Sequence, residues 1–318
     1  MRIVITGGAG FIGANIAAEL SKTNEVIVLD DLSTGTRDNT RDLAIKFVKG
    51  SVTDLVLLQT VLKDVDYVFH QAAIPSVPRS VNDPIASNNA NINGTLNVLV
   101  AAKNCGVKKV IYASSSSVYG DTPALPKREE MTPNPLSPYA VTKLTGEYYC
   151  TVFNDVYGLK TVALRYFNVY GPKQDPYSDY AAVIPRFVSR IRLNEPPVIY
   201  GDGQQTRDFS FVKDVVTANI RAMQTDTTGV FNIASGTRIS IQELAELVMK
   251  LMGKELSVVF EAPRQGDVRH SLADISKAKA EFGYEPCYRL EEGLEATIRW
   301  FSGSGIHLPH YNYKHQHE

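Results

Sequence analysis

The chain has 318 residues, of which 44% are hydrophobic and 21% charged, and its formal net charge is −1. This length predicts about two domains with a sizeable buried core, and the near-neutral charge excludes a general electrostatic attraction to nucleic acid. No run approaches the roughly eighteen consecutive apolar residues of a membrane span, and the first residues lack a basic region followed by an apolar stretch. The sequence therefore predicts a cytoplasmic protein that contacts neither nucleic acid nor a membrane.

Short runs rich in β-branched and aromatic residues alternate with stretches of helical period through the first half of the chain. The runs are RIVIT, EVIVLD, IKFV, DYVFHQ, KVIYAS and TVALRY. Such alternation is typical of a parallel sheet covered by helices on both faces. The sequence predicts an α/β fold with a doubly wound, Rossmann-type parallel sheet.

A glycine-rich turn follows the first predicted strand and precedes a helix from about Ile12. Its glycines, Gly7, Gly10 and Gly13, are spaced by three in TGGAGFIG. Glycines there allow a tight turn and a close approach of the backbone to a pyrophosphate, which the positive helix end attracts. The second strand ends in Asp30-Asp31, where a carboxylate would accept hydrogen bonds from ribose hydroxyls and repel a 2′-phosphate. These features predict NAD rather than NADP as the cofactor.

A tyrosine and a lysine lie four residues apart near the start of a predicted helix over 138–157, for which Ser137 is the N-cap. Tyr139 and Lys143 therefore project from one face of that helix. An ammonium beside a phenol favours the phenolate, so we expect a lowered tyrosine pKa and a usable base. A serine cluster at 114–117 follows the KVIYA strand, at the sheet edge where doubly wound folds bind ligands. Each motif is common alone, and their order along the chain predicts a proton-transfer site.

Beyond Tyr170 the chain becomes rich in Gly, Pro and charged loops, which predicts a smaller C-terminal α/β domain that covers the substrate. The later run GVFNIAS again has the composition of a sheet strand. We expect an NAD-binding domain over 1–170 with a return segment at about 207–238. The substrate-binding domain then comprises 171–206 and 239–318. A further helix is predicted over 84–105.

The chain resembles the extended short-chain dehydrogenase/reductase family, and within it the nucleotide-sugar 4-epimerases, above all those acting on UDP-N-acetylglucosamine and UDP-N-acetylgalactosamine. The motifs that carry the family resemblance are TGGAGFIG, LDDLSTG, HQAA, NINGT, SSSSVYG, SPYAVTK, LRYFNVYGP, GDGQQTRDFSFVKDV and RQGD, and the strings SVPRS, YAAVIP and VRHSLAD carry the likeness to the subgroup. The resemblance implies that Tyr139 takes the proton of the sugar 4-hydroxyl, assisted by Lys143 and Ser115, while hydride passes from C4 to NAD. The 4-keto sugar then turns and receives the hydride on its other face.

The resemblance also implies the binding residues. For NAD they are Gly7, Gly10, Phe11, Ile12, Gly13, Asp30, Asp31, Ser33, Gly35, Ser51, Val52, Ala72, Asn93, Ser114, Tyr139, Lys143 and Tyr166. For the UDP-sugar they are Ser76, Ser115, Ser116, Ser117, Tyr139, Asn168, Ala182, Val183, Val198, Tyr200, Arg207, Arg264, Asp267 and Ser271. Arg207 and Arg264 match the family's diphosphate ligands, for which a guanidinium fork is suited. Ser51 departs from the family, which usually has an adenine-facing aspartate there.

Three positions favour one chemistry among related ones. Ser117 stands where the dehydratases and decarboxylases have an acid, and Asn168 where the glucuronate 4-epimerases have threonine. Ser271 stands where epimerases that reject N-acetyl sugars have a bulky tyrosine. We expect interconversion of UDP-GlcNAc and UDP-GalNAc, with UDP-glucose and UDP-galactose as further substrates. A UDP-glucuronate 4-epimerase and a non-catalytic NAD-binding regulator remain the alternatives.

The resemblance further implies a homodimer through helices 93–105 and 139–157. Apolar residues such as Leu96, Leu99, Val100 and Val152 fit either that interface or the interior of the monomer.

The cysteines and histidines suggest no metal site. Cys105, Cys150 and Cys287 are too widely separated for a disulfide framework or a zinc site. Four histidines, at 307, 310, 315 and 317, crowd the last twelve residues, where we expect a mobile polar tail.

Overall fold

The computed structural model describes residues 1–176, 182–263 and 268–303. The strands are β1 (Arg2–Thr6), β2 (Glu25–Asp30), β3 (Lys46–Lys49), β4 (Tyr67–His70), β5 (Lys109–Ser115), β6 (Lys160–Tyr166), β7 (Val169–Tyr170), β8 (Val198–Tyr200), β9 (Thr206–Arg207), β10 (Ser210–Phe211), β11 (Gly229–Ile233), β12 (Ile239–Ser240) and β13 (Val259–Glu261). The helices are α1 (Phe11–Leu20), α2 (Leu55–Val61), α3 (Val77–Asn82), α4 (Pro84–Asn88), α5 (Gly94–Asn104), α6 (Pro138–Tyr157), α7 (Val183–Arg192), α8 (Val212–Gln224), α9 (Ile241–Leu251), α10 (Ser276–Phe282) and α11 (Leu290–Gly303).

Seven strands form a parallel sheet in the order β11-β6-β5-β4-β1-β2-β3. The order reverses between β1 and β4, as in a doubly wound fold, so the ends of these strands flank the crevice where such folds bind ligands. The predicted Rossmann-type sheet is confirmed, and GVFNIAS supplies its edge strand β11 beside β6.

The strands read as apolar runs because helices cover both sheet faces. Side chains alternate along β1, so that Ile3 and Ile5 pack in a core that includes Val215 of α8, whereas Val4 packs in the opposite core. Leu99 of α5 lies in this second core and is fully buried.

The chain beyond Tyr170 has a core of its own. Phe187 of α7, Leu244 of α9 and Leu294 of α11 are buried in one apolar cluster. Ser240 begins α9 with a capping box, in which its side chain and that of Glu243 each bond the other's backbone amide. Short strand pairs, β7 with β10, β8 with β13 and β9 with β12, surround this core. The division into two domains at the expected boundaries stays a prediction.

The structure confirms the predicted bounds of one long helix and divides the other into shorter elements. Helix α6 begins at Pro138 after the N-cap Ser137, whose side chain accepts a hydrogen bond from the Ala140 amide, as predicted. The helix predicted over 84–105 is instead α4 and α5 joined by a π-helical turn at Asn89–Asn93. In the described ranges no helix is both long and apolar enough to cross a membrane.

Candidate active site

The glycine-rich turn between β1 and α1 has a geometry that side chains would obstruct. Gly7 has φ +69°, and a Cβ there would lie 2.5 Å from the Ala72 backbone nitrogen. A Cβ on Gly13 would lie 2.3 Å from the Gly7 carbonyl oxygen. Gly10 is the N-cap of α1 and has no side chain to occupy the first-turn amides. The bare turn and the helix end fit a pyrophosphate, with Phe11 and Ile12 in the first turn.

The two aspartates after β2 have different surroundings. Asp30 is buried, and its carboxylate accepts hydrogen bonds from the backbone amides of Ala9 (2.9 Å) and Leu32 (2.8 Å). Burial raises the pKa of Asp30, and these hydrogen bonds offset part of that rise. Asp31 is exposed and accepts a hydrogen bond from the Ser33 amide. Asp30 therefore holds the glycine turn against β2, and Asp31 has the freer carboxylate of the two. The contact of either carboxylate with a ribose stays a prediction.

Other residues expected at NAD are partly engaged within the protein. The Ser51 hydroxyl accepts hydrogen bonds from the Thr53 amide and hydroxyl, and the Val52 carbonyl accepts one from Asn97. The Asn93 side chain donates to Asn89 in the π-helical turn.

Two further residues of this set have packing roles that the structure shows. A Cβ on Gly35 would lie 2.7 Å from the Ala9 carbonyl carbon, so the loop after β2 packs directly on the glycine turn. The Tyr166 hydroxyl donates to Asn219 (3.0 Å) and accepts from Gln71 (3.1 Å), and burial raises its pKa. Their roles toward NAD stay predictions.

The tyrosine and lysine of α6 meet the end of β5. The Lys143 ammonium lies 5.8 Å from the Tyr139 ring centroid and donates to the Ala113 carbonyl at 2.8 Å. Ser115 hydrogen-bonds the Tyr139 side chain, and its role as the assisting serine stays a prediction. A phenol, an ammonium and a hydroxyl thus converge at the carboxyl edge of the sheet.

The expected lowering of the Tyr139 pKa is wrong for this structure. Burial raises the pKa of Tyr139, and the hydrogen bond to Ser115 offsets only part of that rise. Burial also lowers the pKa of Lys143 to about 8. A low-dielectric surrounding disfavours both charged forms, and spacing along a helix contains no information about burial.

The remaining serines differ from one another because the strand ends among them. Ser114 is buried on the other side of β5, where its hydroxyl donates to Glu147 at 2.5 Å. Ser115 accepts a hydrogen bond from the Ser117 amide and so begins the 3₁₀ turn Ser116–Tyr119. The buried hydroxyl oxygen of Ser117 has no hydrogen-bond partner among the described residues. It is a polar atom that a bound ligand would satisfy.

Hydrogen bonds that the sequence did not predict connect the loop after β4 to α6. The Asn91 side chain bonds the Ile74 amide (2.7 Å) and the Thr142 hydroxyl (3.0 Å), and Ser80 accepts from the Tyr139 amide at 3.0 Å. Asn91 lies in the π-helical turn, a feature often found at functional sites. The sequence signal for Asn91 is its place as the first residue of the NINGT motif.

Ser76, expected at the substrate, starts α3 in the same loop. It has φ +90°, a strained conformation for a residue with a side chain, and its hydroxyl accepts from the Arg79 amide.

His70 at the end of β4 is buried beneath this site. Burial, with the charge of Lys143 as a smaller cause, lowers its pKa to about 3. Thr95 donates its proton to the Asn91 carbonyl, so it accepts from His70 Nε2, and His70 Nδ1 accepts from Thr6 at 2.7 Å. The neutral imidazole is thus fixed as one tautomer and is no proton carrier near neutral pH.

Three expected substrate residues lie around β9. The Asn168 amide group donates to the Asp208 carbonyl at 2.8 Å, and Asn168 has φ +34°. The Ser271 amide donates to the Thr206 carbonyl at 3.0 Å, and the Arg207 guanidinium donates to the same carbonyl. Ser271 is buried and Arg207 is half-buried.

Asp208 joins these segments and was not recognised from the sequence. It is fully buried, and its carboxylate accepts hydrogen bonds from the Ser235 amide and hydroxyl and from the amides of Gly236 and Ala273. Burial raises the pKa of Asp208 to about 6, although these hydrogen bonds lower it in part.

The other expected substrate residues are at α7 and β8. Ala182 is the N-cap of α7 and Val183 its first residue, while Val198 and Tyr200 begin and end β8. The Tyr200 hydroxyl accepts from Arg186 at 2.9 Å, with the guanidinium 4.9 Å from the ring centroid. Arg264, Asp267 and the four histidines of the tail lie outside the described residues.

Comparisons with known proteins agree on one family. A family model described as the NAD dependent epimerase/dehydratase family matches residues 3–234. A solved UDP-N-acetylglucosamine 4-epimerase from Methanobrevibacter ruminantium M1, in complex with UDP-N-acetylmuramic acid, is 44% identical with a TM-score of 0.93, covering 95% of this chain and 98% of that one. A UDP-glucose 4-epimerase from Thermotoga maritima, solved with UDP-glucose, is 40% identical with a TM-score of 0.92, covering 96% and 99%. A putative UDP-glucose 4-epimerase from Methanocaldococcus jannaschii is 38% identical over 305 residues, covering 95% and 99%.

Proposed function

Because the chain belongs to the NAD-dependent epimerase/dehydratase family, we propose that it is a UDP-sugar 4-epimerase that interconverts UDP-GlcNAc and UDP-GalNAc, with UDP-glucose and UDP-galactose as further substrates. The observation that carries the proposal is the convergence of Tyr139, Lys143 and Ser115 at the sheet edge that the glycine turn also borders. NAD is held by the glycine turn and the loop after β2, and when bound it supplies a hydride acceptor that later returns the hydride.

The residues divide the proton chemistry among them. Tyr139 takes the proton of the sugar 4-hydroxyl and later returns a proton to the 4-keto sugar, and Ser115 hydrogen-bonds the same phenol. With a pKa of about 8, Lys143 is mostly protonated at neutral pH, and its ammonium favours the phenolate against the cost of burial. The balance between these two effects sets the pH dependence of turnover.

The preference for acetamido sugars rests on the small side chain of Ser271. Ser271 is buried and its backbone is fixed to Thr206, beside Arg207, the expected diphosphate ligand. Because the backbone of residue 271 is held in place, a larger side chain there cannot move away, and the size of the side chain limits the space beside it. A serine leaves room for a substituent larger than a hydroxyl on the sugar C2.

Replacing Ser271 by tyrosine tests this substrate assignment. Overfilling a packed site costs about 1 to 3 kcal/mol, so Ser271→Tyr should lower kcat/KM for UDP-GlcNAc at least about tenfold while UDP-glucose suffers much less. Ser271→Ala is the matched control because it keeps the space, and its ratio of the two kcat/KM values should equal that of the wild type. An unchanged ratio in folded Ser271→Tyr would show that residue 271 does not select the sugar.

The first experiment is incubation of the wild type with each UDP-sugar and chromatographic separation of the products. Turnover of UDP-glucuronate alone would identify the glucuronate epimerase instead. Bound NAD without turnover of any UDP-sugar would favour the non-catalytic regulator.

We also propose a homodimer that uses α6. Val141, Tyr148, Val152 and Val156 are exposed apolar residues at helical spacing, and Val156 keeps 67% of its surface. Of the residues named from the sequence, Leu99 instead packs in the core and Val152 is exposed. Sedimentation equilibrium measures the mass directly, and a monomer at micromolar concentration would contradict the proposal.

A further inference from the structure

A buried ion pair lies next to the proton-transfer residues. Glu147 and Arg165 retain 3% and 4% of their side-chain surface. Arg165 Nε donates to Glu147 Oε1 at 2.9 Å and Nη2 donates to Oε2 at 2.8 Å, so the guanidinium fork occupies both carboxylate oxygens. Neither residue is among the expected ligands of NAD or the sugar.

Stability alone is a weak reason for such a pair. Taking two charges out of water costs about as much as their attraction returns, and an apolar pair of the same volume often serves as well. The position of Glu147 suggests a different reason. It follows Lys143 by four residues on α6, the spacing at which opposite charges on a helix face pair with each other.

The structure shows other partners for both groups. The Glu147 carboxylate accepts from Arg165 and from the Ser114 hydroxyl, whereas the Lys143 ammonium donates to the Ala113 carbonyl at 2.8 Å and faces the Tyr139 ring. Arg165 is fixed independently of α6. It pairs in register with Ser114 between β6 and β5.

A second contact holds the guanidinium from the side of the 3₁₀ turn. It lies 4.6 Å from the centroid of the Tyr119 ring, and the Tyr119 hydroxyl donates to Asn232 of β11 at 2.7 Å.

Among the described residues, the other titratable groups shown to face Lys143 are uncharged near neutral pH. Tyr112 of β5 has its ring 5.2 Å from the ammonium, and burial raises its pKa well above the ordinary value. His70 of β4 is neutral because burial lowers its pKa to about 3. Tyr139 itself is the group to be activated. Glu147 is therefore the carboxylate that would compete with Tyr139 for the ammonium.

We propose that Arg165 is a positioning residue for the proton-transfer pair: its fork occupies the Glu147 carboxylate and thereby leaves the Lys143 ammonium beside Tyr139. The inference rests on the proposed function in naming Tyr139 as the group that exchanges the substrate proton. Without the fork, Glu147 attracts Lys143 away from the phenol, and the base is lost although every reacting group is present.

The test compares Arg165→Met with the double variant Glu147→Gln/Arg165→Met. Arg165→Met should lower kcat at neutral pH at least about tenfold. The pH at which kcat rises to half of its maximum should increase by about one unit, which corresponds to that tenfold loss. The double variant removes the competing carboxylate and should recover kcat to within about threefold of the wild type. A merely structural pair would also tolerate the loss of both partners better than the loss of one, but it predicts no movement of the pH profile of kcat in either variant.

Lys109→Met is the matched control. It also replaces a buried cation by methionine, at the opposite end of β5, where the ammonium donates to the carbonyls of Ala222 and Thr225. Its kcat and pH profile should stay those of the wild type. An equal alkaline shift in this control would assign the effect to loss of any buried cation and overturn the inference.

A readout without substrate separates this inference from the proposed function. The near-ultraviolet absorbance of the Tyr139 phenolate is titrated as the difference between each variant and its Tyr139→Phe counterpart. The Tyr139 pKa should rise in Arg165→Met and return in the double variant. An unchanged pKa overturns the inference even if activity falls, and a shifted pKa in a protein that turns over no UDP-sugar refutes only the proposed function. If Arg165→Met does not fold, Arg165→Lys, which lacks the fork, should show a smaller rise, and no rise overturns the inference.

Discussion

Gly146 sets the distance between α6, which carries Tyr139 and Lys143, and the strand β5 beneath it. Gly146 lies within α6, and a Cβ there would be 2.2 Å from the Tyr112 hydroxyl oxygen and 2.4 Å from its Cζ. Ordinary contact begins at 3.4 Å, so Gly146→Ala must separate helix and ring by about 1.2 Å. Tyr112 is buried and its hydroxyl donates to the Lys143 carbonyl, so the ring has little freedom to yield.

The effect on activity should exceed the effect on stability. Overpacking costs about 1 to 3 kcal/mol, of which the better helix propensity of alanine returns about 1 kcal/mol. A misplacement of about 1 Å between reacting groups can cost about a hundredfold in rate, so kcat should fall by about ten- to a hundredfold. Steady-state epimerisation and urea unfolding of the same preparations measure the two quantities.

The chain contains a matched control for this substitution. A Cβ on Gly293 of α11 would also lie 2.2 Å from a tyrosine hydroxyl, that of Tyr170, in the C-terminal core. Gly293→Ala should lose similar stability but keep kcat within about twofold. Equal losses of kcat in the two variants, or a folded Gly146→Ala with wild-type kcat, would refute the idea that Gly146 sets the distance between Tyr139 and Ser115.

Three further predictions concern the acid-base group, the cofactor turn and a buried acid. Tyr139→Phe should keep its fold and NAD binding but lose at least about a hundredfold in kcat, and near-normal turnover would remove Tyr139 from the mechanism. Gly13→Ala should weaken NAD binding at least about tenfold by calorimetry, because its Cβ would displace the Gly7 carbonyl, and unchanged affinity would contradict the assignment. The folded protein keeps a proton on Asp208 up to about pH 6 that the unfolded chain releases near 3.8, so this group's contribution to stability falls as pH rises through that window. Asp208→Asn should lack this fall when unfolding free energies at pH 4 and pH 7 are compared with the wild type, and identical slopes would contradict the raised pKa.

The features that the sequence predicted correctly depend on local patterns. Strands buried on both faces appear as apolar runs, and the Gly7 to Gly13 turn needs glycine because a Cβ at either end would meet backbone atoms. Ser115 meets Tyr139 because a strand end and a helix start are fixed by their own signals, the serine cluster and the Ser137 cap.

What the sequence did not predict depends on burial and on partners far along the chain. The charge state of Tyr139 follows from burial, which helix spacing does not contain. The partners of Asp208 come from residues 235, 236 and 273, and those of Glu147 from β5 and β6, so no short motif could announce them. The π-helical turn at Asn89–Asn93 interrupts a sequence of ordinary helical period.

Asp208 connects the segments that carry residues of the expected sugar site. Its carboxylate holds Ala273, two residues beyond Ser271, while its carbonyl holds Asn168. Ser271 in turn is fixed to Thr206, two residues before Asp208. A change that loosens this buried carboxylate therefore moves both sides of the expected sugar site without altering a residue that lines it. Substitutions around Asp208 should alter sugar preference through KM. The pH profile of kcat should stay unchanged, because among the described residues the Tyr139 side chain hydrogen-bonds Ser115 at the end of β5 and not the segments around Asp208.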